Sequence, residues 1–265
     1  MLALVPRRIH WTRLRRIPSP RRLNGWLGAM LLGSALLSTA QQVSADVSSA
    51  ESPVPFTAQY TLVLDGWPDV PITQRISQSG ELYIASMEAS IKVASGYEQG
   101  RFLLKEGQLQ PAGYRSGYRL AGIGKDYSRE APEPDETLLP DRQTLLVLLS
   151  QQADAQWAAG SCLTGAPCAL EYLDHKGRTR TLMYEILAQE SRVAAGQTFR
   201  TLRLDTWRKH RDQKHYRLWL APRWPGLMVA LDYLDYEDSP AGEVPKRSAH
   251  LTLDRLSSSR RQASP

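Results

Sequence analysis

The sequence predicts a mainly β protein: a strongly curved antiparallel sheet or a partly open β-barrel, with one main helix at about residues 141–159 packed against it. About a dozen short segments alternate apolar and polar residues, with the period of two that is typical of half-buried strands. They mostly follow one another without helices, which favours an antiparallel meander over a parallel α/β sheet. A single sheet of so many strands usually curls or closes, because its twist accumulates.

The segments before the helix show the alternation most clearly. In FTAQYTLVL (residues 56–64), every second residue is apolar, so Tyr60 and Leu62 are predicted to face inward. Residues 83–93 repeat the pattern with Met87 and Ile91 on the apolar face. Gly-containing turns, including Ser95-Gly96, separate the further candidate strands at residues 72–78, 100–105, 109–120 and 125–129.

One segment has a helical pattern instead. A Pro-rich stretch, APEPDETLLP, precedes DRQTLLVLLSQQADAQWAAG. Asp141 stands at the start as a candidate N-cap, and Gly160 follows the end. Leucines at 145, 148 and 149 fall on one stripe, so we expect the helix to cover part of the concave side of the sheet.

Alternation resumes after the helix. Leu204 and Leu218 are predicted to point inward from two of the later strands. The candidate strands of this half are residues 169–174, 179–188, 198–207, 215–220, 227–236 and 249–256.

The first 45 residues read as an export signal. They contain seven arginines and no acidic residue, followed by the apolar run GWLGAMLLGSALLSTA and a small-residue end. This pattern predicts a signal peptide, residues 1–45, cut between Ala45 and Asp46, and a periplasmic location. The apolar run is shorter than the roughly 20 residues that span a bilayer, so no integral span is expected in the mature protein. A linker at 46–54, one β-rich domain at 55–256 and a flexible tail at 257–265 complete the predicted organisation.

The charge of the chain depends on that signal. The full sequence has 33 basic and 27 acidic residues, and removing seven arginines leaves 26 basic against 27 acidic. A nearly neutral mature chain argues against nucleic-acid binding, which needs many unbalanced cations.

The two cysteines, Cys162 and Cys168, are predicted to form a disulfide. Five residues with turn-forming Gly and Pro separate them, and export places them in an oxidising compartment. Free or regulated thiols are one alternative. A metal site is another, but His175 is the one nearby residue that could add a ligand.

Three stretches carry a resemblance to a known family: PFTAQYTLVLDG, EGQLQPAGYRSGYR and HYRLWLAPRWPGLMVALDY. Over about residues 55–256 the chain resembles the 3108 family of domains of unknown function. The resemblance implies an exported bacterial envelope protein with a mostly antiparallel β fold and no established activity. It supplies no catalytic residues.

The sequence contains no nucleophile elbow, no phosphate-binding glycine loop and no HExxH motif. We therefore expect no catalysis, no cofactor and no metal, and a hydrolase is the least favoured reading. The favoured one is a periplasmic binding or carrier module for a lipid or acyl chain. Its predicted lining is Tyr60, Leu62, Met87, Ile91, Leu204 and Leu218, with the helix as a lid.

An alternative function uses the stretch TWRKHRDQKHYRLWLAPRWPG. It concentrates Trp207, Trp219 and Trp224 among arginines and lysines, a combination that suits glycan or protein partners of an envelope assembly factor. The same tryptophans could equally be core or turn residues of a hairpin.

Overall fold

In the computed structural model, the described residues are 52–131, 139–208, 213–236, 245 and 247–258. The predicted signal peptide and its cleavage site, most of the predicted linker, and all but two residues of the predicted tail lie outside them. Twelve strands and one helix are described. The helix is α1, Arg142–Ala158, and the strands are β1 Phe56–Leu64, β2 Val70–Ser79, β3 Leu82–Ile91, β4 Ala94–Lys105, β5 Gln108–Leu120, β6 Ile123–Arg129, β7 Cys168–Leu173, β8 Thr179–Ala194, β9 Gln197–Trp207, β10 Lys214–Leu220, β11 Met228–Asp235 and β12 Arg247–Ser258.

All twelve strands form one antiparallel sheet, as predicted. Its order is β6-β5-β4-β3-β2-β1-β12-β11-β10-β9-β8-β7, so every pair of neighbouring strands in the sheet is consecutive in the chain except β1 and β12. That pairing brings Phe56 opposite Ser258. β6 and β7 are the two ends of the order, and the sheet is not closed.

Irregular register bends the sheet. Four pairings shift by a residue, which is the signature of a β-bulge, and a bulge increases local twist and curvature. The shifts fall at Gln59/Tyr60, Arg101/Phe102, Ile186/Ala188 and Trp219/Leu220.

Two strand limits differ from prediction by six residues, and the others differ by two or fewer. β4 begins at Ala94, so the Ser95-Gly96 pair lies inside the strand and not in a turn. β8 continues to Ala194 instead of ending near residue 188. In both places the strand is long because it is paired over its whole length with a neighbour, a contact that a local turn signal does not report.

The core lies between the sheet and α1, on what we call the inner face. α1 contacts β3, β4, β5 and β7. Its buried residues include the polar Gln143, Thr144 and Ser150 beside Leu145 and Leu149, so it is enclosed on more than one side. Among the described residues, no helix is both long and apolar enough to cross a bilayer.

The predicted disulfide joins the end of the helical segment to the sheet. Cys162 and Cys168 are bonded with their Cα atoms 5.2 Å apart, and Cys168 is the first residue of β7. Cys162 is buried, and its carbonyl accepts a hydrogen bond from the Ile186 amide at 2.7 Å. The bridge therefore fixes where the chain leaves α1 and enters the sheet.

Replacing both cysteines by alanine is expected to lower the free energy of unfolding by about 2 kcal/mol, since the closed loop is short and constrains the unfolded chain little. Denaturant unfolding of this variant beside the parent measures the difference. Equal midpoints for the two proteins would contradict a stabilising role for the bridge.

Candidate functional site

The strand register arranges the inner face of β3–β6 in rows. One row, which we call the apolar rim, runs Ile91, Ala94, Leu120, Ile123 at the hairpin ends of these strands. Four residues further along each strand, Met87, Glu98 and Ser116 form a parallel row on the same face. Four residues of strand correspond to about 13–14 Å. The two rows are therefore the outer and inner limits of one continuous surface.

The apolar rim is open to solvent although it belongs to the inner face. Leu120 is 50% exposed and Ile123 is 80% exposed, whereas Met87, in the row that lies four residues further along the strands, is 5% exposed. Between the rows, Ala89 on β3 and Gly96 on β4 carry little or no side chain, whereas Tyr118 on β5 and Lys125 on β6 occupy the same row. The apolar inner face thus extends outward, past the part that α1 covers.

The inner row contains charge. Glu98 forms an ion pair with Arg142, the first residue of α1, and the two side chains are 8% and 13% exposed. Gln143 Nε2 donates to Glu98 Oε2 at 3.1 Å, and Arg142 Nη2 donates to Tyr114 Oη at 3.1 Å. We call Glu98, Tyr114, Ser116, Arg142 and Gln143 the polar layer.

Burial shapes the ionisation of this layer. It raises the pKa of the Tyr114 hydroxyl, with the nearby Glu98 carboxylate adding to the effect. The phenol therefore remains protonated at neutral pH and acts as a neutral hydrogen-bonding group.

The N-cap of α1 positions the layer. Asp141 Oδ1 accepts from the amides of Gln143 and Thr144 at 2.8 and 3.1 Å, as the sequence predicts for an N-cap. Burial raises the pKa of Asp141 despite these bonds. The carboxylate lies against Gly100, where an added Cβ would be 2.4 Å from Oδ1, so the missing side chain lets the helix approach β4.

A second polar link ties the sheet to a loop. Tyr60 Oη donates to Gln74 Oε1 at 2.6 Å, and Gln74 Nε2 donates to the Gly226 carbonyl at 2.7 Å. All three groups are buried. This chain of bonds accounts for polar groups within an otherwise apolar part of the inner face.

The two ends of the sheet, β6 and β7, are not paired with each other as strands, but side chains from the two ends are in contact. Tyr127 on β6 packs edge-on against His175, with ring centroids 4.9 Å apart, and the Leu173 amide donates to the Pro140 carbonyl at 2.9 Å. Burial opposes the charge of Asp174, but hydrogen bonds from Arg178 and backbone amides outweigh it and hold the pKa of this carboxyl well below its usual range.

The six side chains predicted to line a ligand site all lie on the inner face. Tyr60, Met87, Leu204 and Leu218 are buried in the core, and Leu62 and Ile91 are partly buried against it. Ile91 also belongs to the apolar rim. Whether any of them contacts a ligand stays a prediction.

The three tryptophans of the alternative site are packed into the fold. Trp219 is 5% exposed: Arg192 covers its ring at 4.0 Å from the centroid, and its Nε1 donates to Glu190 Oε1. Trp224 meets Phe56 edge-to-face at 6.4 Å, and Trp207 is 9% exposed. The three indole rings therefore do not form an exposed surface on which a ligand could stack.

The polar layer was missed by sequence reasoning. Glu98 lies between the predicted turn at Ser95-Gly96 and the predicted strand that begins at residue 100. The sequence analysis therefore assigned it no inward-facing position. Extending the alternation of Gly100 back through Glu98 and Gly96 to Ala94 would have found it. Arg142 and Gln143 carry no such signal, because first-turn helix residues are commonly solvated.

The geometry defines an open, β-barrel-like antiparallel sheet with a helix against its inner face. No family model matches the chain, so the resemblance to the 3108 family is not confirmed, and no curated protein matches it either.

Two solved structures are similar in outline. One is a β-barrel-like protein of domain of unknown function DUF1849 from Brucella abortus, with a TM-score of 0.46 and 11% identity over 78% of this chain and 99% of that chain. The other is described as an outer membrane lipoprotein-sorting protein domain from Vibrio parahaemolyticus, with a TM-score of 0.27 and 8% identity over 82% of this chain and 89% of that chain. Both scores are below 0.5, so the function of this chain has to be argued from its own residues.

Proposed function

We propose that the chain is an exported, non-enzymatic binding or carrier module for an amphipathic envelope ligand that contains an acyl chain. The proposal places it in the periplasm after removal of residues 1–45. The observation that carries it is the exposed apolar rim, which is continuous with the core through the inner face of β3–β6.

Inward-facing side chains of a sheet are normally covered. Leu120 has the same orientation as the buried Tyr114 and Ser116 of its own strand, and Ile123 is its partner on β6, yet Leu120 and Ile123 remain in contact with solvent. Covering apolar surface gains roughly 25 cal/mol for each Å² removed from water. An acyl chain lying along this surface supplies such cover without a change in the sheet.

The surface leads inward to hydrogen-bonding groups. The residues of β4 on the inner face are, in order, Ala94, Gly96 and Glu98. Small residues of this strand therefore lie between the apolar rim and the polar layer. A ligand with a chain and a polar end matches this order of environments. The tryptophan-based alternative gains no comparable support, since Trp207 and Trp219 are buried and Trp224 is partly buried against the core.

Replacing Leu120 by glutamate is expected to weaken uptake of a pyrene-labelled long-chain alcohol at least ten-fold, because a charge on the rim disfavours an adjacent alkyl chain. Val193, on β8 near its hairpin with β9, is 76% exposed and supplies the matched control Val193→Glu. Fluorescence titration measures both. Equal losses in the two variants, or no loss in either, would contradict the proposed path.

A further inference from the structure

The exposed apolar and aromatic side chains of the described residues are concentrated on two hairpins. Five of the eight large ones belong to the β3–β4 and β5–β6 hairpins: Val93, Tyr97, Tyr118, Leu120 and Ile123. The other three are divided between the β1–β2 and β8–β9 hairpins. Single exposed apolar residues are ordinary on a protein surface, whereas a cluster of them marks an interaction site.

The two hairpins end side by side. We call residues 91–94 and 120–123 the hairpin tips. The Ala121 amide donates to the Val93 carbonyl at 2.8 Å, and Ala94 pairs with Leu120. Val93 is 55% exposed, and Ile123 is more exposed still. Because a turn is the outermost part of its strands, these apolar side chains reach a partner before the strands behind them do.

The surroundings of the tips are positively charged. The two turns with three residues on each side, residues 89–96 and 118–125, contain no acidic residue and three cations: Lys92, Arg119 and Lys125. Arg119 is paired with Asp126. Lys92 and Lys125 are exposed, and neither forms an ion pair with another described residue. A lysine close to an anionic lipid surface gains about five-fold in affinity.

Two exposed tyrosines lie behind the tips, one on each face of the sheet. Tyr118 precedes Leu120 by two residues and shares its inner face, whereas Tyr97 follows Ala94 by three residues and lies on the outer face. Two to three residues of strand correspond to about 7–10 Å. Tyrosine has an apolar ring and a polar hydroxyl, which suits it to the boundary between lipid chains and head groups. The order from tip to strand therefore matches the order from acyl chains to head groups.

We propose that the hairpin tips dock on a lipid bilayer that contains anionic phospholipid. Val93, Leu120 and Ile123 enter the interfacial layer, and Lys92 and Lys125 contact the lipid phosphates. The inference rests on the proposed function, because a carrier of an acyl ligand exchanges it with a membrane, and docking by the tips brings the apolar rim to the lipid. So few apolar residues give reversible binding, as an exchange requires.

Site-specific fluorescence tests the docking directly. Both cysteines of the chain are in the disulfide, so one introduced cysteine can carry a nitrobenzoxadiazole dye, whose emission rises and shifts to the blue in lipid. The dye is placed with Ile123→Cys, and the control is Val193→Cys on the β8–β9 hairpin, which lies at the opposite end of the strands. The protein is recovered from producing cells, and its mass is measured first.

Vesicles of phosphatidylethanolamine and phosphatidylglycerol are expected to change the emission at position 123 and not at position 193. Vesicles of phosphatidylcholine alone should need at least about ten-fold more lipid for the same change, because they offer the lysines no net negative charge. High salt should remove most of this preference. A contact made by the N-terminal segment would not favour position 123 over position 193.

Two variants separate docking from ligand uptake, since neither residue belongs to the apolar rim or the polar layer. Lys92→Gln should raise the concentration of anionic lipid needed for half-maximal binding about five-fold. Its control, Lys105→Gln, removes an exposed lysine at the other end of β4 and should have no effect. Val93→Ser should weaken vesicle binding several-fold. All three should take up the pyrene-labelled alcohol as the parent does when vesicles are absent.

The outcomes distinguish this inference from the carrier function. Equal emission changes at positions 123 and 193, or none at either, would overturn the docking and leave the carrier function standing if the alcohol is taken up. A dimer in solution that Val93→Ser abolishes would also overturn it, by assigning the tips to a second copy of the chain. Docking at position 123 without uptake of the alcohol would overturn the carrier function alone.

Discussion

Replacing Arg142 by methionine is expected to lower the free energy of unfolding by about 3–5 kcal/mol, the usual cost of removing one partner from a buried ion pair. The substitution leaves the Glu98 carboxylate in a site that is 8% exposed, with Gln143 as its remaining described helix partner. It also removes the donor to Tyr114. Urea unfolding at neutral pH measures the loss.

Two comparisons show whether the cost comes from the buried charge. Glu98→Gln combined with Arg142→Met buries no net charge and should recover much of the stability. Arg119→Met breaks the ion pair with Asp126, in which the side chains are 47% and 52% exposed, and should leave the unfolding midpoint almost unchanged. If Arg142→Met behaves like Arg119→Met, the pair is not a buried one.

Replacing Gly100 by alanine should cost about 2–4 kcal/mol, the sum of an overpacked contact and a displaced helix cap. The new Cβ would lie 2.4 Å from Asp141 Oδ1, and both groups belong to backbone segments that are packed against each other. Asp141 would have to release the amides of Gln143 and Thr144 to make room. Thermal unfolding monitored by circular dichroism follows the change.

A suppressor distinguishes this clash from a general effect of alanine in a strand. Serine caps helices about as well as aspartate and is shorter. Asp141→Ser should therefore be mild by itself and should restore part of the stability of Gly100→Ala. A double variant no more stable than Gly100→Ala would show that the contact with the cap is not the source of the loss.

The strands could be predicted because their signal is local. Alternation along residues 56–64 places Tyr60 and Leu62 on the covered face, and the structure does the same. The disulfide was predictable for the same reason, since a short loop with Gly and Pro brings its own ends together. Each of these inferences needs a few consecutive residues and nothing else.

The candidate site could not be predicted, because it depends on contacts between distant segments. Glu98 becomes a buried partner of Arg142 once α1 lies on β4, 44 residues earlier in the chain. The sequence of the helix does not indicate that its first residue contacts β4. Its enclosed surface includes Gln143, Thr144 and Ser150, so no single apolar stripe describes what it covers. The rim likewise becomes a surface only when β3–β6 are in register.

The pairing of β1 with β12 is the clearest case of a contact without local signal. It joins residues about 200 positions apart and turns a meander of hairpins into a continuous sheet. The register of β3–β6 within that sheet places the rim on the same inner face as the core.

Native mass spectrometry of the protein recovered from producing cells, followed by solvent extraction of whatever it carries, tests the central claim most directly. We expect the mass of residues 46–265 together with an acyl-containing species. A protein mass with nothing bound, combined with no uptake of the pyrene-labelled alcohol, would contradict the carrier function.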